Sequence, residues 1–278
     1  MEIGPSGVPF SYTTVIATKS RIDKGLLAIP ASLIKLFPNT SGSVFLLGES
    51  GEWSKKTFTA FDSSSKECRI GGMREFYANY DVRGGDELVL QVYGNDKYQI
   101  VPEPFFRREI ADLESDLDRA PTETEAGSAI AGLAELTRTN PDDVIRSEYF
   151  RLTSQETVVR KVHSRDRATN REHIPASLRS ILTGLYRGRC QVSGFSFLKR
   201  NREPYFEVHH IDPQQGNHVK NVLVVSPNVH AQFTHAAVEQ SFDDSGWLRR
   251  VKFNGESHGV FQFVDQLPDA YRKEVHSV

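Results

Sequence analysis

The chain has 278 residues, 38% hydrophobic and 25% charged, the balance of a soluble globular protein with one large domain or two smaller ones. No apolar run approaches the roughly 18 residues of a membrane span, and MEIGPSGVPF lacks the basic-then-apolar order of a secretory signal. Two distant cysteines, Cys68 and Cys190, make no disulfide framework, so a reducing cytoplasm is the expected compartment.

The net charge of −2 argues against a nucleic-acid binder, but its distribution argues the other way. Residues 151–220 carry about +7 and residues 101–150 about −7, and a local basic stretch is enough to neutralise several phosphates.

In chain order, FSYTTVIAT, SVFLLGES, KTFTAFD and DELVLQVYG read as short strands parted by Gly, Ser, Asn and Asp. Two short helices are expected among them. One starts at Pro30 in IPASLIKLF, and the other is MREFYANY after Gly71 and Gly72. So many short strands in about 100 residues predict a small barrel or sandwich. The character changes at 104–170. FFRREIADLESDLDRA predicts an amphipathic helix with Phe106, Ile110, Leu113 and Leu117 on one side. PTETEAGSA reads as a polar linker, AIAGLAELTR as a second helix, and Asn140 as the N-cap of a third. In 171–278, IPASLRSILTGLYRG predicts a helix closed by Gly188. The expected organisation is therefore α+β: a β domain over 1–103, a helical linker over 104–170 and a last domain over 171–278.

The chemistry concentrates in Glu207-Val208-His209-His210-Ile211-Asp212-Pro213. A β-like run ends there, a polar loop QQGNHVK follows, Asn221 opens the run VLVV, and Ser226-Pro227-Asn228 can cap a helix VHAQFTH. Folded as a hairpin on a helix, the segment is expected to bring His209, His210 and His230 to one side. Neighbours on a strand point to opposite faces, so His209 and His210 do not comfortably share one ion. One can ligate a metal while the other addresses water, and His230 can be the second ligand.

CQVSG, EVHHIDP, NVLVVSPNVH and FDDSG, in that order, resemble the HNH (ββα-metal) endonuclease motif over about residues 190–242. The resemblance implies His209 and His230 as metal ligands, His210 as general base and Asn221 as the brace of the loop. It implies one divalent ion, Mg2+ or Mn2+ most readily, although two imidazoles also accept nickel, cobalt or zinc. Many such proteins carry Cys-x-x-Cys pairs for a structural zinc. Here Cys190 is followed by Ser193, and the later pair is replaced by Ser226 and Val229. No structural zinc is expected, and Cys190 reads as a packing residue. His235, five residues after His230, reads as structural or phosphate-contacting rather than as a third ligand. Arg160, Lys161, Arg165, Arg167, Arg171, Arg187, Arg189, Lys199 and Arg200 supply cations for phosphate contact. Of these, Arg187 and Arg189 are the expected transition-state neutralisers.

GLLAIPASLIKLFP and KTFTAFDSSSKECRIGGMREFYANYDVRGGDELVLQVYG resemble the B3-type DNA-binding pseudobarrel, over about residues 12–101. That resemblance implies two DNA-reading arms: Lys19, Ser20, Arg21 and Lys24 in one, and Asp62, Ser63, Ser64 and Lys66 in the other. Together the two resemblances imply a sequence-specific, restriction-type endonuclease on double-stranded DNA. One HNH site cuts one strand, so duplex cleavage calls for a homodimer on a symmetric site. The reading leaves room for a separate companion methyltransferase and involves no membrane. Two rivals stay open: a nuclease whose N-terminal domain senses a modified base, and a DNA-binding regulator with a silent HNH domain.

Overall fold

A computed structural model describes residues 12–48, 50–60, 67–155 and 174–266. The chain divides into two compact units, Met1–Asp112 and Leu113–Val278. Among the described residues no helix is long and apolar enough to cross a membrane.

The first unit is one seven-stranded sheet that curls nearly closed. Its strands are β1 (Thr13–Ile16), β2 (Leu26–Ile29), β3 (Gly42–Leu47), β4 (Trp53–Thr59), β5 (Cys68–Gly71), β6 (Glu87–Gly94) and β7 (Lys97–Pro102), in the spatial order β1-β6-β7-β3-β4-β5-β2. Only the β3–β7 pair is parallel. Alternation puts Leu27 and Ile29 of β2, and Val44 and Leu46 of β3, into a single core with Ile70 and Leu88. The segment after Pro30 forms a 3-10 turn, Ala31–Leu36, rather than a full helix. MREFYANY forms the short helix α2 (Arg74–Asn79). The first expected DNA-reading arm contains a single helical turn, α1 (Lys19–Ile22).

The boundary between units falls inside α3 (Glu103–Arg119), whose Phe106, Ile110 and Leu117 are buried as the 3.6-residue period predicts. The segment read as a linker is largely helical. PTETEAGSA contributes the first half of α4 (Glu123–Thr137), because Thr122 is its N-cap and Glu125 stands three residues on. The Glu125 backbone N–H donates to Thr122 Oγ1 at 3.2 Å, and the Thr122 hydroxyl donates to the Glu125 carboxylate. Asn140 caps α5 (Pro141–Thr153), accepting from the Asp143 N–H at 2.9 Å. Both helices pack with α6 (Ala176–Tyr186), and Leu113 onward falls in the second compact unit. Helix α6 ends on two left-handed residues, Arg187 (φ 50°) and Gly188 (φ 72°).

The rest of the second unit comprises two-residue strands β8 (Phe197–Leu198) and β9 (Pro204–Tyr205), the hairpin β10 (Glu207–His210) and β11 (Val222–Val225), helix α7 (Pro227–His235), and a three-stranded sheet of β12 (Val238–Phe242), β13 (Leu248–Phe253) and β14 (Glu256–Gly259). β11 is the run VLVV, apolar on both faces because it is buried on both. Val222 and Val224 join Tyr149, Leu178 and Trp247 in one core. Leu223 and Val225 join Cys190, Val229 and Val251 in another. The hairpin is thus clamped between two apolar layers, which fixes its orientation.

Candidate active site

β10 pairs antiparallel with β11, His209 opposite Leu223 and His210 opposite Val222. Alternation therefore separates the two histidines. Glu207 and His209 share one face, and Val208 and His210 the other. Helix α7 packs against β10, capped by the Ser226 hydroxyl, which accepts from the Val229 N–H at 3.4 Å.

This brings His209 and His230 together, with ring centroids 5.5 Å apart. Phe233, one turn along α7 from His230, stacks on His209 at 4.0 Å. Burial, and then the charges of His230 and His210, push His209 down to about 4. At neutral pH it is an uncharged imidazole, the form that ligates a metal. Glu207 Oε2 lies against Nδ1 of His230. A carboxylate on one ring nitrogen orients the imidazole and leaves Nε2 to ligate.

His210 is not on the side of the other two histidines. Its Nε2 is 2.9 Å from Asn217 Oδ1 in the loop between the strands. The correction follows from strand geometry, because consecutive residues on β10 cannot share a face. Asn221, 4% exposed, ties that loop shut. Its Oδ1 accepts from the Asp212 N–H, and its Nδ2 donates to the carbonyls of Asp212 and Gly216, all at 2.8 Å.

The donor set fits a divalent ion held by two imidazoles, with its other positions left to phosphate and water. It does not fit a closed protein cage, since among the described residues no three His, Cys, Asp or Glu are grouped to hold a metal. His235 is exposed at the end of α7. Cys190 is buried in the core that holds Val229, and its Sγ accepts from the Ser193 N–H at 3.3 Å.

Arg187 and Arg189 are exposed. Arg187 pairs with Asp142 at 3.3 Å, and Arg189 donates to the Gly194 carbonyl at 3.2 Å. Both line a cleft of about 820 Å³ with Cys190, Arg249, Phe261 and Gln266, and none of the three histidines lines it. In the first unit Lys19 pairs with Asp23 at 3.1 Å, and Ser20 and Lys24 are exposed. Arg21 is engaged by Glu67 at 2.5 Å. Asp62, Ser63, Ser64 and Lys66, and also Arg160, Lys161, Arg165, Arg167 and Arg171, lie outside the described residues.

Sequence reasoning assigned no role to Glu207 or Asn217. Glu207 was reachable, because it stands two residues before His209 and so on the same strand face. Asn217 carried no local signal, since its place depends on how the loop closes.

No protein-family model matches the chain. No curated protein matches it. Among solved structures, a hypothetical Arabidopsis thaliana protein, At1g16640.1, is similar at 17% identity, covering 33% of this chain and 87% of that one with a TM-score of 0.27. An Arabidopsis FUS3–DNA complex is similar at 9% identity, covering 33% and 96% with a TM-score of 0.26.

Proposed function

We propose that this chain is a divalent-metal-dependent DNA endonuclease of the HNH type. The observation that carries the reading is the pairing of His209 with His230, with Glu207 behind His230 and His210 directed to the opposite face of the same strand. Two imidazoles for an ion and a third set apart for water are what phosphodiester hydrolysis needs.

His209 and Nε2 of His230 would hold the ion, which supplies charge stabilisation to the scissile phosphate when bound. Glu207 keeps the His230 ring oriented. His210, oriented by the contact of its Nε2 with Asn217 Oδ1, would take the proton of the attacking water. Asn221 holds the loop that carries Asn217 and so positions His210 through it. In this reading the N-terminal barrel reads DNA sequence, two copies act on a duplex site, and the ion is Mg2+ or Mn2+.

The test is nicking of supercoiled plasmid, modified and unmodified, with Mg2+ or Mn2+ and with chelator. Wild-type protein should nick only with metal, and His210→Ala should lose nicking while binding DNA within a few fold. Nicking by His210→Ala at the wild-type rate refutes the assignment of the base, and undiminished cutting in chelator refutes the metal.

A further inference from the structure

Large apolar side chains stay in water only at a cost, so a cluster of them on one short element marks a surface with a partner. Phe195, Phe197 and Leu198 are 54%, 42% and 63% exposed. They fall within four residues at the start of the β8–β9 hairpin. The hairpin is stiff. Phe197 stacks on Tyr205 at 5.1 Å and 29°. The Lys199 N–H donates to the Glu203 carbonyl at 2.7 Å, and the side chains of that pair form an ion pair at 2.7 Å. Pro204, the cross-strand partner of Leu198, is seated tightly on the end of α6, since a Cβ on Gly188 would lie 2.6 Å from Pro204 Cβ. Beside the apolar cluster, the turn carries the exposed cations Lys199, Arg200 and Arg202, and the single carboxylate on the hairpin, Glu203, is taken by Lys199.

Cations beside apolar groups suit a polyanion that also offers flat apolar faces, which is nucleic acid. The placement suits the same ligand. The Tyr205 hydroxyl donates to Glu207 Oε1 at 3.1 Å, and the other oxygen of Glu207 holds His230. The hairpin is therefore coupled through one carboxylate to the histidine pair.

We propose that the β8–β9 hairpin is a wedge: Leu198, beside the turn, enters a base step of duplex DNA next to the histidine pair, while Phe197, on the opposite face of β8, stays stacked on Tyr205 and Arg200 and Arg202 grip the flanking backbone. The wedge rests on the nuclease reading for the identity of its ligand. It adds that the duplex is locally opened where it is cut.

The experiment uses the full chain on closed circular plasmid, relaxed by a metal-independent topoisomerase in chelator, with plasmid nicking in Mn2+ run in parallel. Bound wild-type protein should leave the plasmid underwound after removal. The variant Phe197→Ala/Leu198→Ala should bind plasmid at least about fivefold more weakly, the lower end for loss of one stacked base, and at saturating protein should leave the linking number unchanged. Leu198→Glu, a single exposed change, should do the same and guards against misfolding of the double variant. Arg200→Ala/Arg202→Ala should weaken binding and flatten its salt dependence. A wild-type linking-number shift in either tip variant overturns the wedge. So does wild-type binding without any shift, and if nicking persists then only the wedge falls. A wild-type protein that neither binds nor nicks plasmid overturns the nuclease reading as well. Conversion of a wild-type dimer to monomer by the tip variants, with topology unaltered, assigns the tip to contact between copies and overturns the wedge too.

Discussion

Replacing Asn221 isolates the contribution of the loop to both stability and chemistry. One side chain, 4% exposed, satisfies the Asp212 N–H and the carbonyls of Asp212 and Gly216 at 2.8 Å each. Asn221→Ala leaves three backbone groups without that partner. A buried polar group left unsatisfied costs about 1–3 kcal/mol. Water can reach part of this loop, so the total should be about 2–4 kcal/mol rather than the full sum. For a unit of this size that is a fall in Tm of roughly 5–15 °C. Asn221→Asp tests the direction of each bond. Its carboxylate still accepts from Asp212 N–H, but its second oxygen faces two carbonyl acceptors. At neutral pH it should be worse than alanine, and it should recover in part as pH falls toward about 5 and the carboxyl becomes a donor. Denaturant unfolding gives the free energy, and plasmid nicking well below the transition gives the chemistry. Asn221→Ala should slow nicking even where it is fully folded, because the loop that carries Asn217 no longer holds His210. Unfolding within about 0.5 kcal/mol of wild type, the range of an ordinary surface substitution, would refute the loop's dependence on this residue.

Burial, and then the charge of Glu148, raise Glu114 to about 7, against a usual 4.5, with Arg151 opposing and Asp118 adding. A carboxyl that holds its proton more tightly when folded stabilises the fold at low pH and loses that contribution as pH rises through about 4.5 to 7. Stability of the second unit should therefore fall between those values by about 1–2 kcal/mol, discounted for partial exposure, and Glu114→Gln should flatten the profile in thermal melts across pH. Thr122→Ala removes the α4 cap and should cost about 1 kcal/mol in denaturant unfolding. Chelator should stop nicking without lowering Tm by more than a degree or so, since among the described residues no three His, Cys, Asp or Glu are grouped to hold a metal; parallel melts and nicking in chelator check this.

The legible parts of this chain are those written in local periodicity and caps. Helix α3 follows from its spacing of Phe106, Ile110 and Leu117, and α5 from Asn140-Pro141. VLVV reads as a strand because a run without alternation means burial on both sides. PTETEAGSA misled because its composition is that of a loop, while Thr122-x-x-Glu125 is a helix start that outweighs it. The placement of Arg187 was illegible. Its position as the left-handed end of α6 and its pairing with Asp142, 45 residues away, are tertiary facts. Arg21 is similar: nothing near it in sequence reveals that Glu67 holds it.

Cys190 and Val229 pack in one apolar core next to the hairpin. The neighbouring Gln191 cross-links three segments of that core in hydrogen bonds. Its N–H donates to the Val224 carbonyl at 2.9 Å, its Oε1 accepts from the Val224 N–H at 2.7 Å, and its Nε2 donates to the Phe261 carbonyl at 2.8 Å. Buried at 3% exposure, one amide joins the turn after α6 to β11 and to the segment beyond β14. β11 is the strand on which β10, and so His209 and His210, are registered. Such a polar clamp is directional where an apolar contact is not, so it sets the register of the hairpin, while the valines on either side supply the burial energy. On the proposed nuclease reading, the histidine pair stays open to a phosphate because the rigidity it requires comes from residues that never touch the ligand.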